Sequence, residues 1–307
     1  MILALFNKSS IVSYLLALVL LGLVVYSHAL DAGVRYPFDG ERNLALVLLS
    51  CCMLAVDWSV KQRYWATKAN YHLVFFSLFV YALPLAQWNN WTLIFFFFCW
   101  IGLNYLIGID QSGGQIKKTF NASFFIFLGS FFYPPGLLLF PLLWVILSFQ
   151  GGLHLKTLGI SLLPLLSFWL LEVIVTFLFP ESHLMSGFSF STVNFDFPWE
   201  SPFRRNLWWI LLLVVLLLSL FRHYVDMSAK SAAYGLGIYA LLATALAGLT
   251  FVLFFQAQNK MSWLLLIMVV TALSTRLFEE IKRAWLRELI FLLILSFVLF
   301  GKHGSPF

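Results

Sequence analysis

Apolar residues in this chain come in long unbroken runs, with neither the two-residue alternation of a half-buried strand nor the single stripe of a surface helix. A run such as LWWILLLVVLLLSLF, Leu207 to Phe221, is apolar on every face, which excludes the ~10-residue alternating strands of a membrane barrel. A helix needs ~20 residues to cross the hydrocarbon, and the runs cluster near that length. The pattern predicts spans at Ile11–Leu30, Leu44–Trp58, Tyr71–Gln87, Trp91–Ile109, Phe120–Tyr133, Gly136–Phe149, Leu158–Phe179, Leu207–Phe221, Ala233–Phe255, Met261–Leu277 and Glu288–Phe300. The expected fold is therefore all-α: a polytopic transmembrane helical bundle of about eleven spans. No linker, repeat or low-complexity stretch divides residues 1–307, so one integral-membrane domain is expected.

One break decides the topology. Pro134-Pro135-Gly136 interrupts an apolar run from Phe120 to Phe149, either as a turn between two spans or as a fault inside one. The two flanking stretches are short, so a re-entrant hairpin is a third option. Charge separates the parities, because short basic loops resist translocation and stay cytoplasmic. With a turn and a cytoplasmic N-terminus, 13 of the 19 Lys and Arg fall inside, including Lys61, Lys117, Lys118, Arg222, Arg276 and Arg287. A single crossing would give 10 against 9. The turn is preferred, which places the C-terminus outside. Tryptophans agree: Trp88, Trp91, Trp199, Trp208, Trp209 and Trp263 mark the outer ends, and Trp58, Trp65 and Trp285 the inner ones.

Composition confirms the class: 62% of residues are hydrophobic and 10% charged, against about 25% charge in a soluble domain. The first run is too long for a signal-peptide core and is expected to be retained. Cys51, Cys52 and Cys99 lie in apolar runs without C-x-x-C spacing and read as small hydrophobes. The six histidines form no H-x-x-H or H-x-x-x-H pair and divide between the two faces, so neither a metal nor another cofactor is expected. QSGGQIKK lacks the G-K-[ST] of a phosphate loop. FEEIKRAWLRE, Phe278 to Glu288, does not meet the residue pattern of an intramembrane CAAX-type protease and reads as a cytoplasmic amphipathic or solvated segment.

Chemistry is expected in two long outer connections. Asp31 to Asn43 carries Asp31, Asp39, Glu41, Arg35 and Arg42, and Pro180 to Asn206 carries Arg204 and Arg205 among further acids. Carboxylates would act as base while guanidinium forks hold a phosphate; the alternative is ordinary solvated loop charge. Glu172, in LLSFWLLEVIVTF, is an acid inside an apolar span and a functional candidate by that fact, the alternative being a protonated or paired packing residue. Asp57 and Arg276 sit at inner helix ends, where snorkelling or a simple interfacial pair accounts for them.

The opening MILALFNKSSIVSYLLALVLLGLVVY and the segment KKTFNASFFIFLGSFFYPPGLLLFPLLWV, with Phe120, Ala122 and Ser123, resemble an uncharacterised family of bacterial multi-pass inner-membrane proteins. The architecture also resembles GT-C-type glycosyltransferases, which use polyprenyl-phosphate-linked sugars and place an acid in the first outer loop; here that loop is short and no soluble outer domain follows. The resemblance implies an inner-membrane protein of cell-envelope biogenesis with Asp31, Asp39 or Glu41 as catalytic acid or base, Arg35, Arg42, Arg204 and Arg205 as phosphate-holding residues, and Glu172 orienting the acceptor. Membrane lipids, a lipid-linked sugar and a membrane-protein partner are the expected partners, with no nucleic acid. The alternatives are a non-catalytic subunit or scaffold of a membrane complex and a lipid or solute transporter.

Overall fold

The computed structural model describes residues 3–6, 10–31, 39–62, 69–83, 89–107, 114–178, 207–227, 232–255 and 260–303. These form eleven α-helices and no strand: α1 Ile11–Asp31, α2 Gly40–Gln62, α3 Tyr71–Ala82, α4 Asn90–Ile107, α5 Gln115–Phe132, α6 Leu139–Phe149, α7 Leu155–Leu178, α8 Leu207–Met227, α9 Ala232–Phe255, α10 Leu264–Glu279 and α11 Ala284–His303. Each apolar run of the sequence yields one helix. Seven of them are long and apolar enough to cross a membrane.

The centre of the bundle is α3 beside α10. Eleven of the twelve residues of α3 are buried, as is every residue of α10 from Leu264 to Thr275. A helix apolar on all sides has no face to offer water, so it is stable only when other helices cover it. Around this pair stand α1, α2, α8, α9 and α11.

Against α2 lies α4, which pairs with α5 more closely than any other two helices. A β-carbon on Gly102 would fall 2.8 Å from the Ala122 carbonyl oxygen, and one on Gly129 would fall 3.0 Å from that of Phe95. Small residues let the two backbones touch, which is where packing between membrane helices gains most. Along one edge of the pair runs an aromatic series in which Trp91 stacks on Phe132 at 5.7 Å and Tyr105 on Phe125 at 5.8 Å, with Phe98 between.

The Pro-Pro step is a turn. Tyr133 is extended (φ −142°, ψ 92°), as a residue before proline prefers, and Pro134–Leu138 form a 3₁₀ turn that opens α6. The chain then comes back. Gly152, just past α6, lies against the Gln115 side chain at the start of α5, and the Gln150 amide donates to the Leu106 carbonyl at 2.8 Å near the end of α4. Helix α5 has 18 residues, roughly 27 Å at 1.5 Å each, and Pro134–Phe149 has 16, so the two arms of the hairpin are nearly equal in residue count. The start of α1, the end of α2, the start of α3, the ends of α8 and α10 and the start of α11 all meet at one end of the bundle, called the basic end for its Lys61, Arg222, Arg276 and Arg287.

Helix α7 stands at the periphery on α5. From Trp169 onward it presents Leu170, Leu171, Val173, Ile174, Phe177 and Leu178 to the outside.

Candidate functional site

At the end opposite the basic one, α1 closes on α2 through the Tyr26 hydroxyl, which donates to Asn43 Oδ1 at 2.7 Å. Asp39 precedes α2 and caps it: its Oδ1 accepts the Arg42 backbone N–H at 2.8 Å while Oδ2 pairs with the Arg42 guanidinium at 3.1 Å. Glu41 occupies the first turn of α2, exposed, and its carbonyl accepts from the Asn90 amide at the start of α4. The structure thus gathers Asp39, Glu41 and Arg42 into one helix start. Asp31 ends α1 and Glu172 lies in α7, but the side chains of both fall outside the described residues, as do Arg35, Arg204 and Arg205 altogether.

Beside this end a lateral cleft of about 370 Å³ runs between α1, α3 and α11. Leu20, Val24, Val74, Leu78, Phe291 and Leu295 make its walls; Ser27 and Tyr81 stand at its end away from the basic one, next to the buried His28, whose ring lies 6.1 Å from that of Tyr81. From Leu20 to Ser27 is seven residues of α1, or roughly 10 Å. The α1 wall then continues through one more helical turn to Asp31. A second apolar cleft of about 360 Å³ lies between α6 and α9.

The densest polar chemistry is at the basic end, where the sequence gives it least weight. Asp57, 8% exposed, is not a lone snorkelling acid. Its Oδ1 receives His72 Nε2 at 2.6 Å and Lys61 Nζ at 2.8 Å, and its Oδ2 accepts the Tyr14 hydroxyl at 2.9 Å. The same helix start is held from three other elements. The Phe6 carbonyl accepts the Asn70 N–H at 2.8 Å, the Glu279 carboxylate accepts the Ala69 N–H at 3.0 Å, and Arg287 donates to the Tyr71 hydroxyl. The first of these meets the N-cap N–H that the helix itself leaves without a partner, and the other two fix the approach to it.

A second cluster adjoins it. Arg222 pairs with Asp226 at 2.9 Å and with Glu280, while Arg276 reaches Asp226 at 3.3 Å and Glu280 at 3.0 Å, so two arginines alternate with two carboxylates. His223, fully buried, contacts the Tyr234 hydroxyl through Nδ1 and the Leu273 carbonyl through Nε2. Arg276 is therefore a member of a four-charge network, and Glu279 and Glu280 are half-buried and paired, while Lys282, Arg283, Ala284 and Trp285 of that stretch are exposed. The signal was present as i,i+4 opposite charges: Asp57 with Lys61, Arg222 with Asp226, Arg276 with Glu280.

A buried polar knot joins α2 to α4: Trp100 Nε1 donates to Ser59 Oγ at 2.8 Å and the Asn104 amide to the same oxygen at 2.5 Å. Among the described residues no three of His, Cys, Asp and Glu gather as metal ligands. No family model, curated protein or solved structure matches the chain.

Proposed function

We propose that the protein is a bacterial inner-membrane protein of cell-envelope biogenesis, N-terminus cytoplasmic and C-terminus outside, which draws a lipid-linked substrate from the bilayer to its outer end. The cleft between α1, α3 and α11 carries this reading: apolar walls of roughly 10 Å suit an isoprenoid or acyl chain, and the Ser27 end lies one helical turn before Asp31. A phosphate or phospho-sugar head would then lie at the Asp31–Asn43 connection, within the field of Arg35 and Arg42, with Arg204 and Arg205 completing the cradle. Glu41, exposed, and Asp31 are better suited to act as base than Asp39, whose two oxygens hold the helix start and Arg42. Glu172 orients the acceptor. The resemblance to glycosyltransferases that use polyprenyl-phosphate sugars agrees with that division of roles.

The experiment is mass spectrometry of lipids retained by the protein purified in mild detergent, wild type against Val24→Trp, which fills the cleft. Retention of a polyprenyl phosphate or lipid-linked sugar by the wild type, lost in the variant, is expected. Bulk phospholipid alone in both would overturn the proposal.

The outward half of α7 favours a second reading, a subunit or scaffold of a membrane complex, because its exposed Trp169, Ile174 and Phe177 offer a partner helix a broad apolar face. A stoichiometric protein partner in the same preparation, displaced by Trp169→Ala/Phe177→Ala, would support it.

A further inference from the structure

The cluster around Asp57 has no part in the outer-end chemistry, and one portion of it is chemically incomplete. A carboxylate can only accept, so the neutral His72 ring must carry its hydrogen on Nε2, facing Asp57. That leaves Nδ1 as a lone-pair acceptor, enclosed and without a hydrogen-bond partner; the whole residue is 1% exposed. Two residues earlier, Asn70 donates through Nδ2 to Ser13 Oγ at 2.9 Å. The amide cannot be turned around, because the Ser13 hydroxyl hydrogen is already given to the Ser10 carbonyl at 2.7 Å. Asn70 Oδ1 is therefore a second enclosed acceptor without a donor. Native interiors satisfy such atoms almost without exception. Each of these two acceptors at the start of one helix lacks a donor.

We propose that His72 is a proton-binding site, taking a proton on Nδ1 from hydronium on the basic side, which leaves as water, and presenting the new N–H to Asn70 Oδ1 directly or through one enclosed water. The charged and titratable groups that face it are Tyr14 from α1, Asp57 and Lys61 from α2, Tyr71 on α3 itself, Glu279 from α10, and Arg287 and Glu288 from α11. The three carboxylates outnumber the two cations by one. A proton on His72 therefore brings the cluster to neutrality, between Asp57 and Glu279. Helix α3 also forms one wall of the lateral cleft through Val74, Ser77, Leu78 and Tyr81, so proton uptake at its inner end acts on the element that shapes the cleft. If the Asp57–His72 contact were only a staple holding α3 to α2, the ring would stay neutral wherever the protein stays folded.

The test is ring ¹⁵N spectroscopy of the full chain, labelled at its six histidines, in detergent from about pH 8 to about pH 5. The His72 resonances, identified by their loss in His72→Gln, are expected to move from the Nε2–H tautomer to the imidazolium. Asn70→Ala should lower the midpoint by roughly half a pH unit or more, since it removes the acceptor of the new hydrogen. If His72→Gln does not fold, substituting the other five histidines isolates the same signal. A His72 ring that remains neutral to about pH 5, or a midpoint unmoved by Asn70→Ala, would overturn the proposal.

Discussion

Ser59 serves as acceptor for two buried donors at once, the Trp100 indole and the Asn104 amide, while giving its own hydrogen to the Ala55 carbonyl at 2.7 Å. Ser59→Ala deletes that oxygen and takes one hydrogen bond from each of two buried donors, at a cost of about 1–3 kcal/mol. A lowered thermal midpoint in detergent would register it; an unchanged midpoint would show that the knot adds no stability. Removing Arg276 should also be costly. Arg276→Leu leaves Asp226 and Glu280 with Arg222 as their shared cation in a half-buried network, at a cost of about 1–3 kcal/mol. A further Glu280→Gln should then recover part of the loss in a double-mutant cycle. These networks were only half legible in the sequence. The i,i+4 pairs can be read from spacing, but the bonds that turn pairs into clusters join Tyr14 to Asp57 across 43 positions and Ala69 to Glu279 across 210. No local pattern carries such pairings. The expected outer-end residues fared differently: Asp39 and Arg42 do meet, yet as a helix cap, a use that Asp before a helix start ordinarily has.

The closest helix pair gives a sharp contrast between glycines. Gly102→Leu must force α4 from the Ala122 carbonyl and should destabilise by about 1–3 kcal/mol or more, whereas Gly22, in the middle of α1 with nothing within 4 Å of its would-be β-carbon, should accept alanine with a gain of up to about 1 kcal/mol. Thermal midpoints of both variants check the pair; equal effects would show that the helices do not touch as described. Hydropathy located every helix but not every end. Helix α5 begins at Gln115, five residues before the apolar run at Phe120, because Lys117 and Lys118 belong to its first turns and hydrogen bonding continues where hydrophobicity stops. Helix α3 ends at Ala82, short of Gln87, since Leu83 precedes Pro84 and is extended at ψ 132°. The fully buried helices were indistinguishable from lipid-facing ones in the sequence, as lipid and protein interior select the same residues.

Taken whole, the chain alternates direction, with Gln115 and Gly152 at the same end as Lys61 and Arg287. Single cysteines at positions 115 and 152 should therefore both resist a membrane-impermeant thiol reagent added outside, and a reporter fused after Phe307 should be exposed there. Opposite labelling of the two cysteines would contradict the hairpin; equal labelling from outside would invert the assigned topology. The placement of α3 also bears on how the protein is made. Its start is tied to Glu279 and Arg287, more than 200 residues downstream, and α10, its central neighbour, is among the last helices translated. At about 5–20 residues per second, α3 waits on the order of 10–40 s for the surface that will enclose it. During that interval a helix buried on nearly every side in the finished bundle holds a histidine and unmet backbone donors without its final cover. The nascent chain needs a protective neighbour, and a product cut short before α10 would hold only an unfinished core for the cell's quality-control proteases to remove.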